Sequence, residues 1–185
     1  MTAEDYAFLK QLPLFRRLTP AGLTSVASTM RLQRVRAGEL LFEQGEAGDD
    51  AYVVRSGKLA VELPLPEGVV RTVARLGEGT VVGEAGLIQP APRSLRARAL
   101  HDTTLYVIDG GRFGALRAAN DAGAYSLIRS IALTLCDRLR DTNVRIQEQW
   151  QGKPDDEVNA GTARGVAVPT GGAWGRLKRL FGRGD

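Results

Sequence analysis

Between Leu32 and Asp109 glycine interrupts the chain at nine positions: residues 38, 45, 48, 57, 68, 77, 79, 83 and 86. The glycines mark corners, and the runs between them are short and β-rich. Ala51-Tyr52-Val53-Val54, Leu59-Ala60-Val61, Val69 to Leu76 and Leu105-Tyr106-Val107-Ile108 are the clearest. Many short strands with frequent turns predict a sandwich or a roll that closes on itself.

Helical patterns flank this region. Residues 4–12 read as a short helix. Thr19-Pro20 opens a second, with Thr as N-cap and Pro at the first helical position, and Leu23, Val26, Ala27 and Met30 give it one apolar face. Residues 111–120 form a third. A long helix then runs from about Ala122 to Gln151. In it Ile128, Ile131, Leu135, Leu139, Thr142, Ile146 and Gln149 recur at three- and four-residue steps, the narrow seam of a two-stranded coiled coil. Residues 152–172, with Pro154 and Asp155-Asp156-Glu157, lack periodicity and read as a linker. In 173–185, Trp174, Leu177, Leu180 and Phe181 fall on one helical face among Arg176, Lys178, Arg179 and Arg183. So short a helix is marginal alone and orders on contact. Its docking site is a membrane interface or a partner's groove in preference to its own domain.

Composition bounds the function. A chain of 185 residues, 43% hydrophobic and 25% charged, suits one globular domain plus a tail. It lacks an apolar run long enough to span a bilayer, and its acidic start, Met1-Thr2-Ala3-Glu4-Asp5, is unlike a signal peptide. Cys136 is the sole cysteine, so no intrachain disulfide forms. The expected location is cytoplasmic, with peripheral membrane contact through the tail. Net charge is +4, concentrated in the tail, so the folded part carries no broad nucleic-acid footprint. His101 and Cys136 have no companions for a metal site or a nucleophile–base pair. Asp49-Asp50 reads as a solvated turn. No catalytic constellation emerges, and an enzyme is not expected.

One segment carries chemistry. Val82-Gly83-Glu84-Ala85-Gly86-Leu87 precedes a proline-bearing insert and then Arg93-Ser94-Leu95. A carboxylate such as Glu84 accepts from a hydroxyl. A guanidinium such as Arg93 forks onto a phosphate, and backbone N–H groups of a glycine-bearing loop complete an anion cradle.

The segment resembles the phosphate-binding cassette of the cyclic-nucleotide-binding domain family. The likeness extends to Leu14-Phe15-Arg16-Arg17-Leu18-Thr19-Pro20, to Arg36 through Asp49 and to Tyr52 through Leu59. It spans about residues 6 to 150. The resemblance implies an α+β, mainly β fold: a double-stranded β-helix, or jelly-roll-like β-roll, between short N-terminal helices and a long C-terminal helix. It also implies that Glu84 and the Gly83 backbone hold a ribose, with Ala85 in the same turn. Arg93 and Ser94 would hold a cyclic phosphate, and Val73 and Leu76 would line the base side. Thr142 and Asn143 would meet the base from the long helix. Leu95 stands where the family usually has alanine, although its N–H can still donate. Arg96 stands where many members have Thr or Ser, which tilts the expectation toward adenine.

Together these readings predict a cytoplasmic regulatory sensor of cAMP, with cGMP as the other candidate and no metal. The expected assembly is a homodimer through helix 122–151, and a protein partner or membrane surface is expected at Trp174–Phe181. Residues 152–185 are too few for the three-helix DNA-reading unit of the catabolite activators, so a stand-alone domain without sequence-specific DNA binding is expected. The alternative is a β-roll that has lost its ligand and serves as an interaction scaffold. The expected boundaries are 1–151 for the domain, 152–172 for the linker and 173–185 for the tail.

Overall fold

The structure is a computed structural model and describes residues 1–150; the linker 152–172 and the tail 173–185 lie outside the described residues. Two compact units divide the chain, Met1–Asp137 and Arg138–Asp185.

The first unit opens with α1 (Ala3–Gln11) and α2 (Pro20–Ala27). Thr2 caps α1 in a reciprocal capping box with Asp5, and Thr19 caps α2 by accepting from Gly22 N–H at 3.1 Å. Ten strands follow: β1 (Met30–Val35), β2 (Leu40–Phe42), β3 (Ala47–Gly48), β4 (Ala51–Ser56), β5 (Leu59–Pro64), β6 (Val70–Leu76), β7 (Val81–Val82), β8 (Ala91–Pro92), β9 (Arg96–Ala99) and β10 (Thr103–Ile108). Helices α3 (Gly110–Ala118) and α4 (Ala122–Trp150) complete the order. Met30, expected on the face of α2, is instead the first residue of β1, though still buried.

All strand pairings are antiparallel. One sheet runs β1-β10-β4-β7, a second runs β2-β9-β5-β6, and β3 pairs with β8. The mainly β roll with its long C-terminal helix is therefore present as expected from the sequence.

The strand sequences explain how the layers stack. In strands β4 and β10 of the first sheet both faces are buried. Ala51, Val53, Tyr106 and Ile108 pack against the helical layer with Leu9, Phe15, Leu23, Val26, Phe113 and Leu127. Tyr52, Val54, Leu105 and Val107 point the other way, into the roll, beside Val35, Phe42 and Leu59. That is why β4 and β10 read as unbroken apolar runs. In the second sheet β9 alternates, with Ala97 and Ala99 pointing inward and Arg96 and Arg98 outward, while β5 is buried on both faces from Leu59 to Glu62.

Leu12, Leu14 and Phe15 belong to the helical core. Helix α4 enters the same core. Ala124, Leu127 and Ile131 are buried there, with Ile128 and Leu135 packed against them. The expected coiled-coil seam is thus divided: Ile131 is spent within its own domain, whereas Leu139 and Thr142 are exposed. At the start of α4, Gly22 and Gly123 meet backbone to backbone. A Cβ on Gly123 would lie 2.5 Å from the Gly22 carbonyl oxygen. Beside this crossing Ser25 Oγ donates to Asp121 Oδ2 at 2.7 Å, and Ala124 N–H donates to the other oxygen of the same carboxylate.

Candidate functional site

The loop after β7 turns at Gly83, whose φ of +77° is left-handed. A side chain there would be strained, and its Cβ would sit 2.6 Å from Arg93 Nη1. Glu84 then starts the 3₁₀ turn Glu84–Leu87 and is only 4% exposed, while Ala85 faces solvent. Arg117 of α3 fixes the end of this segment, donating through Nη1 to the Leu87 and Ile88 carbonyls, both at 2.9 Å.

Arg93 is the centre of the arrangement. Its side chain is 9% exposed, and Nη2 donates to the Asp50 carbonyl at 2.8 Å. Nη1 reaches the Gly83 carbonyl at 3.4 Å. The guanidinium lies 4.7 Å from the Phe42 ring centroid and 5.7 Å from that of Tyr52. Gly48 makes room for it, since a Cβ there would meet Nη2 at 2.6 Å. These partners are neutral.

Asp50 proves to be a structural junction, which corrects its reading as a solvated turn residue. Its carbonyl holds Arg93, its Oδ1 accepts from Gly110 N–H at 2.9 Å at the start of α3, and its Oδ2 lies 3.6 Å from Arg31 Nη2. Burial raises the pKa of Tyr52 above that of an ordinary phenol, and the Asp50 charge adds to the rise.

The structure brings Gly83, Glu84 and Arg93 together at one end of the roll. Ser94 is exposed and Leu95 half-buried; Leu95 joins neither core cluster. On β6, Leu76 packs against the interior cluster, whereas Val73 is 56% exposed at the irregularity where the β5–β6 register shifts. Thr142 and Asn143 belong to the second unit, on exposed positions of α4, where Thr142 Oγ donates to the Arg138 carbonyl at 2.8 Å. Arg96 lies on the outward face of β9 with Nε 2.7 Å from Glu62 Oε2. Sequence reading also missed Phe42, Tyr52 and Gly48 as the bed of Arg93. The available signal was Gly48, two residues before Asp50 and four before Tyr52.

An antiparallel roll whose glycine turn holds a buried guanidinium against its own backbone is thus the frame of the site. Residues 32–120 match the family model of the cyclic nucleotide-binding domain, and the chain belongs to that family. The cyclic AMP receptor protein of Thermus thermophilus is 31% identical over 138 residues, which is 75% of this chain and 62% of that protein. The crystal structure of the Thermus thermophilus catabolite activator protein has a TM-score of 0.64 at 29% identity, covering 74% of this chain and 62% of that one. The regulatory domain of Toxoplasma gondii PKA, co-crystallised with cAMP, has a TM-score of 0.57 at 26% identity, covering 62% of this chain and 45% of that one. Two further curated relatives are matched over 36% and 21% of their length, so the chain corresponds to part of each of these proteins.

Proposed function

We propose that this chain is a regulatory sensor that binds a cyclic nucleotide, cAMP in preference to cGMP, and leaves it chemically unchanged. The observation that carries the reading is the Arg93 guanidinium, buried at the cassette turn against the Gly83 and Asp50 carbonyls and the Phe42 and Tyr52 rings. A guanidinium forks onto a phosphate, which brings a full counter-charge to it. A cyclic phosphate with its single negative charge supplies that charge.

In this reading Arg93 and Ser94 hold the phosphate, with backbone N–H groups of Ala85 and Leu95. Glu84 and the Gly83 backbone hold the ribose. Val73 and Leu76 flank the base, and Thr142 and Asn143 meet its polar edge. The choice of cAMP draws on the names of two relatives, the cyclic AMP receptor protein and the kinase regulatory domain crystallised with cAMP. Occupancy shifts α4 between two positions of different nucleotide affinity. A homodimer through the exposed part of α4 and a protein or membrane surface at Trp174–Phe181 receive the signal in the cytoplasm.

The test is displacement of a fluorescent cAMP analogue from the nucleotide-stripped protein by cAMP and by cGMP. The expected result is tighter displacement by cAMP, with Arg93→Ala weakening binding about a hundredfold. Absence of analogue binding, or unchanged affinity in Arg93→Ala, overturns the proposal.

A further inference from the structure

The second sheet presents a face that nucleotide binding leaves unused. Directly paired residues share a face. On β5, Ala60 stands between Arg98 of β9 and Arg75 of β6, and Glu62 stands between Arg96 and Thr72. The opposite face sends Leu59, Ala97 and Ala99 into the roll, and the helical core packs on the first sheet instead. The outer face therefore gathers three arginines around one glutamate.

Their geometry is ordered. Glu62 is 8% exposed although its face points away from the core. Its Oε2 accepts from Arg96 Nε at 2.7 Å and from Arg98 Nε at 3.4 Å, and Arg98 Nη1 donates to the Gly38 carbonyl at 3.0 Å. Glu62 thus fixes two guanidiniums by their Nε edges. Among the described residues both Nη groups of Arg96 remain uncommitted, and Arg75 is exposed.

We propose that this face docks an acidic polypeptide segment of a partner protein. Positive charge remains after Glu62 is satisfied, and the guanidinium fork matches a carboxylate in shape as well as sign. Two of the arginines are already ordered, so binding loses less side-chain entropy. A sheet face is not the concave site that a small anion needs. Three cations around a central carboxylate also fall short of the roughly six to ten phosphate contacts of a strong duplex binder.

The experiment is an NMR titration of the isotope-labelled full chain with decaglutamate and, separately, with a short random-sequence DNA duplex. Expected are amide shifts at Ala60, Glu62, Arg75, Arg96 and Arg98 with decaglutamate. Affinity should be about fivefold weaker in Arg75→Gln and unchanged in Arg16→Gln. Arg75 makes no ion pair with Glu62, so its replacement leaves the folded face intact. A paired Glu62→Gln, Arg96→Gln variant, which strands no buried charge, should weaken the peptide further. Absence of binding, shifts confined to other residues, equal loss in Arg16→Gln, or tighter binding of the duplex overturns the proposal. Cyclic-nucleotide affinity, measured alongside, should be unchanged in Arg75→Gln, which separates this surface from the cassette.

Discussion

The guanidinium carbon of Arg93 lies 4.7 Å from the centroid of the Phe42 ring. Phe42 in turn packs on Tyr52, with ring centroids 5.7 Å apart. The arginine of the cassette is thus seated on an aromatic pair from the roll interior. Replacing Phe42 with leucine keeps the volume apolar and removes the ring face. A cation–π contact of this kind contributes about 0.5–2 kcal/mol. Phe42→Leu should weaken cyclic-nucleotide binding about tenfold in an equilibrium titration, in line with that range. Unchanged affinity would mean that the ring does not position Arg93.

Gly48 tests the same seat by sterics. An added Cβ meets Arg93 Nη2 at 2.6 Å and Nε at 2.7 Å, the movable end of a side chain. Gly48→Ala should therefore displace the guanidinium while the fold survives. The expected signature is a nucleotide affinity lowered by about tenfold or more, as for a disturbed charge contact, with a small change in the melting temperature of the free protein. A large loss of stability with intact affinity would contradict this.

The crossing of α2 and α4 offers no such give. A Cβ on Gly123 would lie 2.5 Å from the Gly22 carbonyl oxygen and 2.6 Å from its Cα, all of it backbone. Gly123→Ala should destabilise the domain by about 1–3 kcal/mol, as overpacking does. Chemical denaturation measures it. Gly114→Ala, on α3 where the added methyl meets no atom within 4 Å, is the control and should not destabilise.

Tyr106 and Asp5 give the stability a pH signature. The buried Tyr106 hydroxyl donates to Asp5 and accepts from Arg55 Nε at 3.1 Å. Burial, reinforced by the bond to Asp5, pushes the phenol up to about 12 from 10.0. The folded state holds this proton more tightly than the unfolded chain. Its contribution is therefore full below pH 10.0 and is lost as pH rises toward about 12. The same hydroxyl lowers the Asp5 pKa below 3.8, with the Thr2 N–H as the second cause. That contribution is present above pH 3.8 and is lost as pH falls through the lower folded value. Denaturation midpoints across both windows should flatten in Tyr106→Phe; an unchanged alkaline slope would rule out Tyr106 as its source.

The sequence announced the roll because its corners are glycines and its doubly buried strands are continuous apolar runs. The cassette was legible for the same local reason: Gly83, Glu84 and Arg93 lie within one short stretch. What supports Arg93 was not. Phe42, Gly48, Asp50 and Tyr52 look like ordinary strand and turn residues until the chain closes and brings them to residue 93. Pairing across strands likewise set the surroundings of Arg96, which the pleat turns outward to Glu62. The helical repeat of α4 revealed its length but not the division of its apolar positions. Ile131 goes to the domain core because Gly22 and Gly123 let the two helices touch.

Isothermal calorimetry of the nucleotide-stripped full chain with cAMP, run in parallel on Arg93→Ala, tests the central claim most directly. The account predicts stoichiometric binding with a dissociation constant of about a micromolar or tighter, corresponding to roughly −8 kcal/mol, and loss of most of that free energy in Arg93→Ala. Absence of heat and of thermal stabilisation with both cAMP and cGMP, or equal binding by Arg93→Ala, would contradict it and leave the roll as a scaffold without its ligand.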